Sequence, residues 1–144
     1  MRTIITVFII IFTLSSCDYG FNAIIANNTK ESVEVTMTFD RKYLDSIYGH
    51  RNYARFLPEF EATPPSFKKH YDSINLQLTI TIPPHENLQV DHGLTGYNVS
   101  RALNLVVYNS IRIKYGNKDI IFPKRLLDSV FVKTGRNHFE LTIE

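Results

Sequence analysis

Apolar and polar side chains alternate with a period of two along most of this chain. Val33, Val35, Met37 and Phe39 alternate with Glu34, Thr36, Thr38 and Asp40, and Leu76, Leu78, Ile80 and Ile82 with Gln77, Thr79 and Thr81. Ile111, Ile113 and Tyr115 flank Arg112 and Lys114, and Phe139, Leu141 and Ile143 flank Glu140, Thr142 and Glu144. Successive side chains of a strand point to opposite faces, so each run predicts a strand with one buried and one wet face. Half-wet strands belong to antiparallel sheets rather than to helix-covered parallel ones. Turn residues fall between the runs. Ala26-Asn27-Asn28-Thr29-Lys30 separates predicted strands at Phe21–Ala26 and Ser32–Asp40, and Gly116-Asn117-Lys118-Asp119 separates Ile111–Tyr115 from Ile120–Phe122. Pro83-Pro84 ends the Leu76–Ile82 strand, because proline donates no ladder hydrogen bond. Leu88 and Val90 suggest a short edge strand, and Leu103–Tyr108 and Ser129–Thr134 complete a set of about seven or eight. The expected fold is an all-β, antiparallel two-sheet sandwich of immunoglobulin-like kind, with a small barrel as the alternative.

Two stretches break the alternation. Residues 41–71 are dense in aromatics: Tyr43, Tyr48, Tyr53, Phe56, Phe60, Phe67 and Tyr71. Tyr43, Leu44, Ile47 and Tyr48 sit at helical spacing, and Gly49, Pro58, Pro64 and Pro65 interrupt any longer helix. A short, partly helical insertion over an edge or end of the sandwich is expected. The second break, Asp91–Asn98 with Gly93 and Gly96, reads as a loop.

The amino terminus follows a different pattern. Arg2 is the only charge before Asp18, and an apolar run from Ile4 to Leu14 is broken only by Thr6 and Thr13. These are the positive and apolar regions of an export signal, and the run is too short to span a bilayer, which takes about 20 residues. It ends in Leu14-Ser15-Ser16-Cys17, which resembles the lipobox of bacterial lipoproteins. The resemblance implies cleavage after residue 16, diacylglycerol on the Cys17 sulfur and a single mature domain, 17–144. Cys17 is the only cysteine in the chain, so no intramolecular disulfide forms, and lipidation gives a lone exported cysteine a purpose.

Composition narrows the partners. The 128 residues from Cys17 onward suffice for one domain with a real core. They carry 15 basic and 14 acidic side chains, with 7 basic against 10 acidic up to residue 100 and 8 against 4 beyond it. That gradient is modest and reads first as solvated strand faces. With no nucleic-acid motif and an export signal, nucleic-acid binding is not expected.

Candidate chemistry is sparse. The aromatic insertion offers Tyr43, Tyr48, Tyr53, Phe56, Phe60 and Tyr71 as a ligand or partner surface, since aromatic rings anchor interfaces and stack on sugars. The absence of tryptophan weakens the sugar version, and the competing reading is that the rings plug one end of the sandwich. His85, Glu86, Asp91 and His92 are metal-capable but match no defined ligand spacing, so no metal and no cofactor are expected. Gly-x-Ser-x-Gly, His-Glu-x-x-His and phosphate-loop motifs are all absent from the sequence, and no catalytic residue is assigned. Asp45-Ser46-Ile47, Asp72-Ser73-Ile74 and Asp128-Ser129-Val130 each resemble the Asp-Ser/Thr-aliphatic acceptor for O-glycosylation of exported proteins in Bacteroidetes, which makes Ser46, Ser73 and Ser129 candidate acceptors.

The chain from Cys17 onward resembles the small lipoproteins of Bacteroidetes. The resemblance rests on the cysteine, on Ile25-Ala26-Asn27-Asn28-Thr29, on Ile80-Thr81-Ile82-Pro83-Pro84 and on the hairpin from Asn109 to Lys118. It implies a compartment and a fold and carries over no functional residue except Cys17. The function expected is a non-catalytic, membrane-anchored binding or envelope-assembly module. It would be held to lipid through acylated Cys17 and would dock a membrane-proximal protein or a glycan through the insertion. The outer membrane, facing the periplasm, is the preferred location. A small-molecule or lipid carrier with an interior pocket is the alternative, and a hydrolase the second.

Overall fold

The computed structural model describes residues 19–49, 64–95 and 105–144. Cys17, Tyr53, Phe56 and Phe60 lie outside the described residues. The described chain forms two β-sheets packed face to face, linked by two short helices and a 3-10 turn.

The strands are β1 (Tyr19–Asn27), β2 (Val33–Phe39), β3 (Lys68–Asp72), β4 (Gln77–Ile82), β5 (Asn87–Thr95), β6 (Tyr108–Tyr115), β7 (Lys118–Pro123), β8 (Val132–Lys133) and β9 (His138–Ile143). Helix α1 (Arg41–Tyr48) follows β2, the 3-10 turn (Leu105–Val107) precedes β6, and helix α2 (Lys124–Val130) joins β7 to β8. One sheet has the order β5-β1-β9-β8 and the other β3-β4-β2-β6-β7. Among the described residues the strand pairs are antiparallel except β1 with β9, which run parallel from Asn22↔His138 to Asn27↔Ile143. Parallel neighbours need a long crossover, and here nearly the whole domain provides it.

The alternating runs form strands in the expected register. Val33, Val35, Met37 and Phe39 of β2 point inward with Leu78, Ile80 and Ile82 of β4 and Ile111 and Ile113 of β6. Ala23 and Ile25 of β1, Leu88 and Val90 of β5 and Ile143 of β9 meet them from the other sheet. Each fully buried Ile or Leu contributes about 1.5–3 kcal/mol by leaving water.

Several sequence expectations need correction. The first strand already includes Tyr19 and Gly20, ahead of the expected start at Phe21, and the strand at Leu88 and Val90 continues to Thr95. Asp91 to Thr95 is therefore strand, because the start of β1 pairs along it from Tyr19↔Thr95 to Ala23↔Asp91. Glycine tolerates strand geometry once a neighbouring strand supplies the hydrogen bonds. Of the strand expected at Leu103–Tyr108, the described residues form instead the 3-10 turn Leu105–Val107, which runs into a β6 continuous from Tyr108 through Tyr115. The strand expected at Ser129–Thr134 is shorter than expected: Ser129 and Val130 close α2, where Leu127 and Val130 sit three apart on the inward face, and only Val132 and Lys133 pair with β9. The insertion is helical at α1 as expected, but β3 begins inside it at Lys68.

Two turns set the register. Gly116 takes φ +50° at the first position of the two-residue β6–β7 loop, a left-handed value that glycine adopts without a Cβ penalty. At the β1–β2 turn the fully buried Asn27 donates from Nδ2 to the carbonyls of Glu31 (2.8 Å), Ile82 (3.2 Å) and Pro83 (2.9 Å). Its Oδ1 accepts from the amide and the hydroxyl of Thr29. One side chain thus ties the end of β1 to the end of β4 in the opposite sheet.

Candidate functional site

The end of the sandwich opposite Asn27 is closed by α1, the β3–β4 turn, the 3-10 turn and α2. Its construction starts at Asp40. This residue follows the last inward position of β2 and caps α1, its Oδ1 accepting from the amides of Lys42 (3.0 Å) and Tyr43 (3.2 Å). An oxygen there satisfies amides that the first helical turn leaves without intrahelical partners. Its Oδ2 accepts from Lys124 Nζ at 2.6 Å, at the start of α2. That bond, followed by the opposing effect of partial burial and the helix amides, leaves the Asp40 carboxyl below the ordinary carboxylate value.

Backbone bonds extend the assembly. Phe39 N donates to Leu76 O (2.9 Å), Asp40 N to Val107 O (2.8 Å), and Arg41 Nη2 to Ile74 O (2.9 Å). The β3–β4 turn is closed by Asp72 Oδ1, which accepts from the amides of Ile74 and Asn75, and these bonds lower the Asp72 pKa. Beneath the four segments lie Leu44, Leu76, Leu105, Leu127 and Phe131, all buried. The Tyr108 ring sits 5.4 Å from that of Phe39, and its hydroxyl donates to Val90 O of β5 at 2.6 Å, joining the sheets at this level.

The structure places the sequence-predicted residues as follows. Tyr43 is half-buried on α1, while Tyr48 and Tyr71 are half-buried and packed against the core. The exposed positions of α1 are thus Arg41, Lys42, Ser46 and Ile47, with no aromatic among them. Ser46 on α1, Ser73 in the β3–β4 turn and Ser129 on α2 are all exposed and all at this end, a convergence the sequence does not reveal. Ser46 Oγ donates to Tyr43 O and Ser129 Oγ to Leu126 O. His85 and Glu86 are exposed in the β4–β5 turn, at the opposite end beside Asn27. Among the described residues no three His, Cys, Asp or Glu side chains converge as a metal site would require.

Sequence reasoning missed the Asp40–Lys124 and Arg41–Ile74 links. The first half of the signal was present, since an Asp immediately before a helical pattern is a capping residue. Its partner lies 84 residues away, beyond any local pattern. No family model, no curated protein and no solved structure matches the chain.

Proposed function

We propose that the chain is the precursor of a membrane-anchored lipoprotein and that its domain from Cys17 onward is a non-catalytic binding or envelope-assembly module. The observation that carries this reading is Leu14-Ser15-Ser16-Cys17, behind Arg2 and an apolar run and directly before a folded domain. Strand β1 supports it, because it already includes Tyr19, two residues beyond Cys17 in the sequence. The immunoglobulin-like kinship belongs to the same reading, in the general sense of two packed, mainly antiparallel sheets with a strand order of the chain's own. Partners on this reading are membrane lipid through Cys17 and a membrane-proximal protein or glycan. The preferred location is the outer membrane, facing the periplasm. Mass spectrometry of the membrane fraction tests the anchor. Wild-type protein should begin at an acylated Cys17, and Cys17→Ala should accumulate as uncleaved precursor without lipid. An unmodified thiol at position 17 in the wild type would refute the reading.

A further inference from the structure

We propose that the helical end of the sandwich is a membrane-seating face, which places the exposed aliphatic side chains Ile47, Ile74, Val106 and Leu126 in the lipid interface of the membrane that holds Cys17. The proposal rests on the lipoprotein reading and adds which surface meets the lipid.

The two ends of the domain differ in chemistry. At the helical end Ile47 is 54% exposed, Ile74 80%, Val106 43% and Leu126 40%. They come from four different segments, α1, the β3–β4 turn, the 3-10 turn and α2, and the bonds of Asp40 and Arg41 hold those segments together. The other exposed large aliphatics among the described residues, Ile120, Ile121 and Val132, lie on the edge strands β7 and β8. At the opposite end the β1–β2, β4–β5 and β6–β7 turns present Lys30, Glu31, His85, Glu86, Asn117 and Lys118, all exposed. Exposed aliphatic side chains gathered at one end of a domain point to a site of interaction, whereas scattered single ones do not.

The course of β1 identifies the occupant. Asn27, its last residue, is bonded to Ile82 and Pro83 at the polar end, so its first residue points to the helical end. Tyr108, at the level of Phe39, bonds Val90, which lies beside Ala23 and Ile24. The strand from Ala23 back to Tyr19 therefore runs roughly 13 Å further toward the helical end. Cys17 is two residues before Tyr19, a reach of at most about 7 Å. The anchor thus emerges at the aliphatic end and cannot turn the domain over. Charge does not oppose the contact. Among the described residues of the closing segments, Arg41, Lys42, Lys124 and Arg125 balance Asp40, Asp45, Asp72 and Asp128, and the carboxylates of Asp40 and Asp72 are engaged by Lys124 and by the turn amides. Basic stems with apolar neighbours suit an interface of head groups and acyl chains. Glycans on Ser46, Ser73 or Ser129 would stand between this end and the bilayer, so these serines stay unmodified if the face is seated.

The test uses the full lipidated protein in vesicles of phosphatidylethanolamine and phosphatidylglycerol. With the Cys17 thiol blocked by lipid, a second cysteine accepts a fluorophore alone. Ile47→Cys, Ile74→Cys and Leu126→Cys report on the helical end, and His85→Cys and Asn117→Cys on the polar end. All five sites are exposed, and thermal melts confirm folding. A lipid-borne nitroxide should quench the first three labels several-fold more than the other two, and aqueous iodide should do the reverse. Equal iodide quenching at both ends overturns the proposal. Shielding of the helical end from both quenchers also overturns it, and assigns that face to another protein or a second copy. Intact mass separates the two levels of the argument. Absence of lipid on Cys17 defeats the anchor and this inference together. A lipidated chain with an iodide-accessible Ile74, or with sugar on the three serines, defeats only the inference.

Discussion

Asn27 is a buried polar side chain with every one of its contacts inside the protein. Burying an amide without partners costs several kcal/mol in an apolar medium, and here three carbonyls and Thr29 absorb it. Asn27→Ala leaves the Ile82 carbonyl short of a donor where water has little access, so it should lower stability by about 1–3 kcal/mol. Asn28→Ala, one residue further and exposed, should change it by less than about 0.5 kcal/mol. Urea melts of the two variants decide this, and equal small effects would mean that the Asn27 network is not intact in solution. Leu78 and Thr79 give a second comparison. Leu78 is 4% exposed, and Leu78→Ala should cost about 2–5 kcal/mol as a core truncation. Thr79 faces the other way, but it is only half-exposed and its hydroxyl lies 3.1 Å from that of Thr36 on the neighbouring strand. Thr79→Ala should therefore cost about 0.2–1 kcal/mol, the range of a cross-strand pair. Reversal of that order in denaturant melts would put the wrong face of β4 inside.

Helix α1 spans eight residues, too short to be stable alone, since isolated helices need roughly 12–15. It persists because Leu44 is buried and because Asp40 holds its first turn while gripping α2. Asp40→Ala removes the cap and should destabilise by about 1 kcal/mol. Asp40→Asn keeps the capping oxygen and removes the charge, so the pair of variants separates the two roles. The Asp40 carboxyl is held below its ordinary value of 3.8, chiefly by Lys124. A carboxyl depressed in the native state stabilises it at all pH above the unfolded value, and that contribution disappears as pH falls through the native value. The stability gap between wild type and Asp40→Asn should thus be constant near neutrality and close on acidification below about pH 3.8. Thermal melts across pH measure it, and a pH-independent gap would show that Lys124 does not pair with Asp40. Element α2 teaches the complementary lesson. Pro123, at its N-cap, contributes no side-chain bond, so tertiary contacts through Leu127 and Lys124 substitute for a local start signal.

For the whole molecule the governing feature is polarity along the strands: an aliphatic, helix-closed end near the start of β1 and a polar, turn-closed end near Asn27. If the first end is seated on lipid, the polar turns are what a membrane-proximal partner meets. The length of the tether then matters. A Gly/Ser linker of about 20 residues after Asp18 spans roughly 22–27 Å as a coil, enough to lift the domain clear of the head groups. Partner crosslinking in the envelope should drop on that insertion, while melts of the domain stay unchanged. Unaltered crosslinking would show that close apposition to the membrane plays no part in the interaction.

Local pattern determined much of this protein. Period-two alternation determined β2, β4, β6 and β9 and which face of each is buried, because a one-residue slip would turn every apolar side chain to water. The cysteine after a short apolar run carried the expectation of an anchor by the same kind of local chemistry. The sequence did not reveal that Asp91 to Thr95 is strand, that Lys124–Val130 is helix, or that β1 lies parallel to β9. Each of these is decided by a partner distant in the chain: β1 for β5, the core beneath Leu127 for α2, the last strand for the first. The candidate face was hidden for the same reason. Ile47, Ile74, Val106 and Leu126 are four unremarkable aliphatics in the sequence, and only packing brings them to one end and leaves them exposed there.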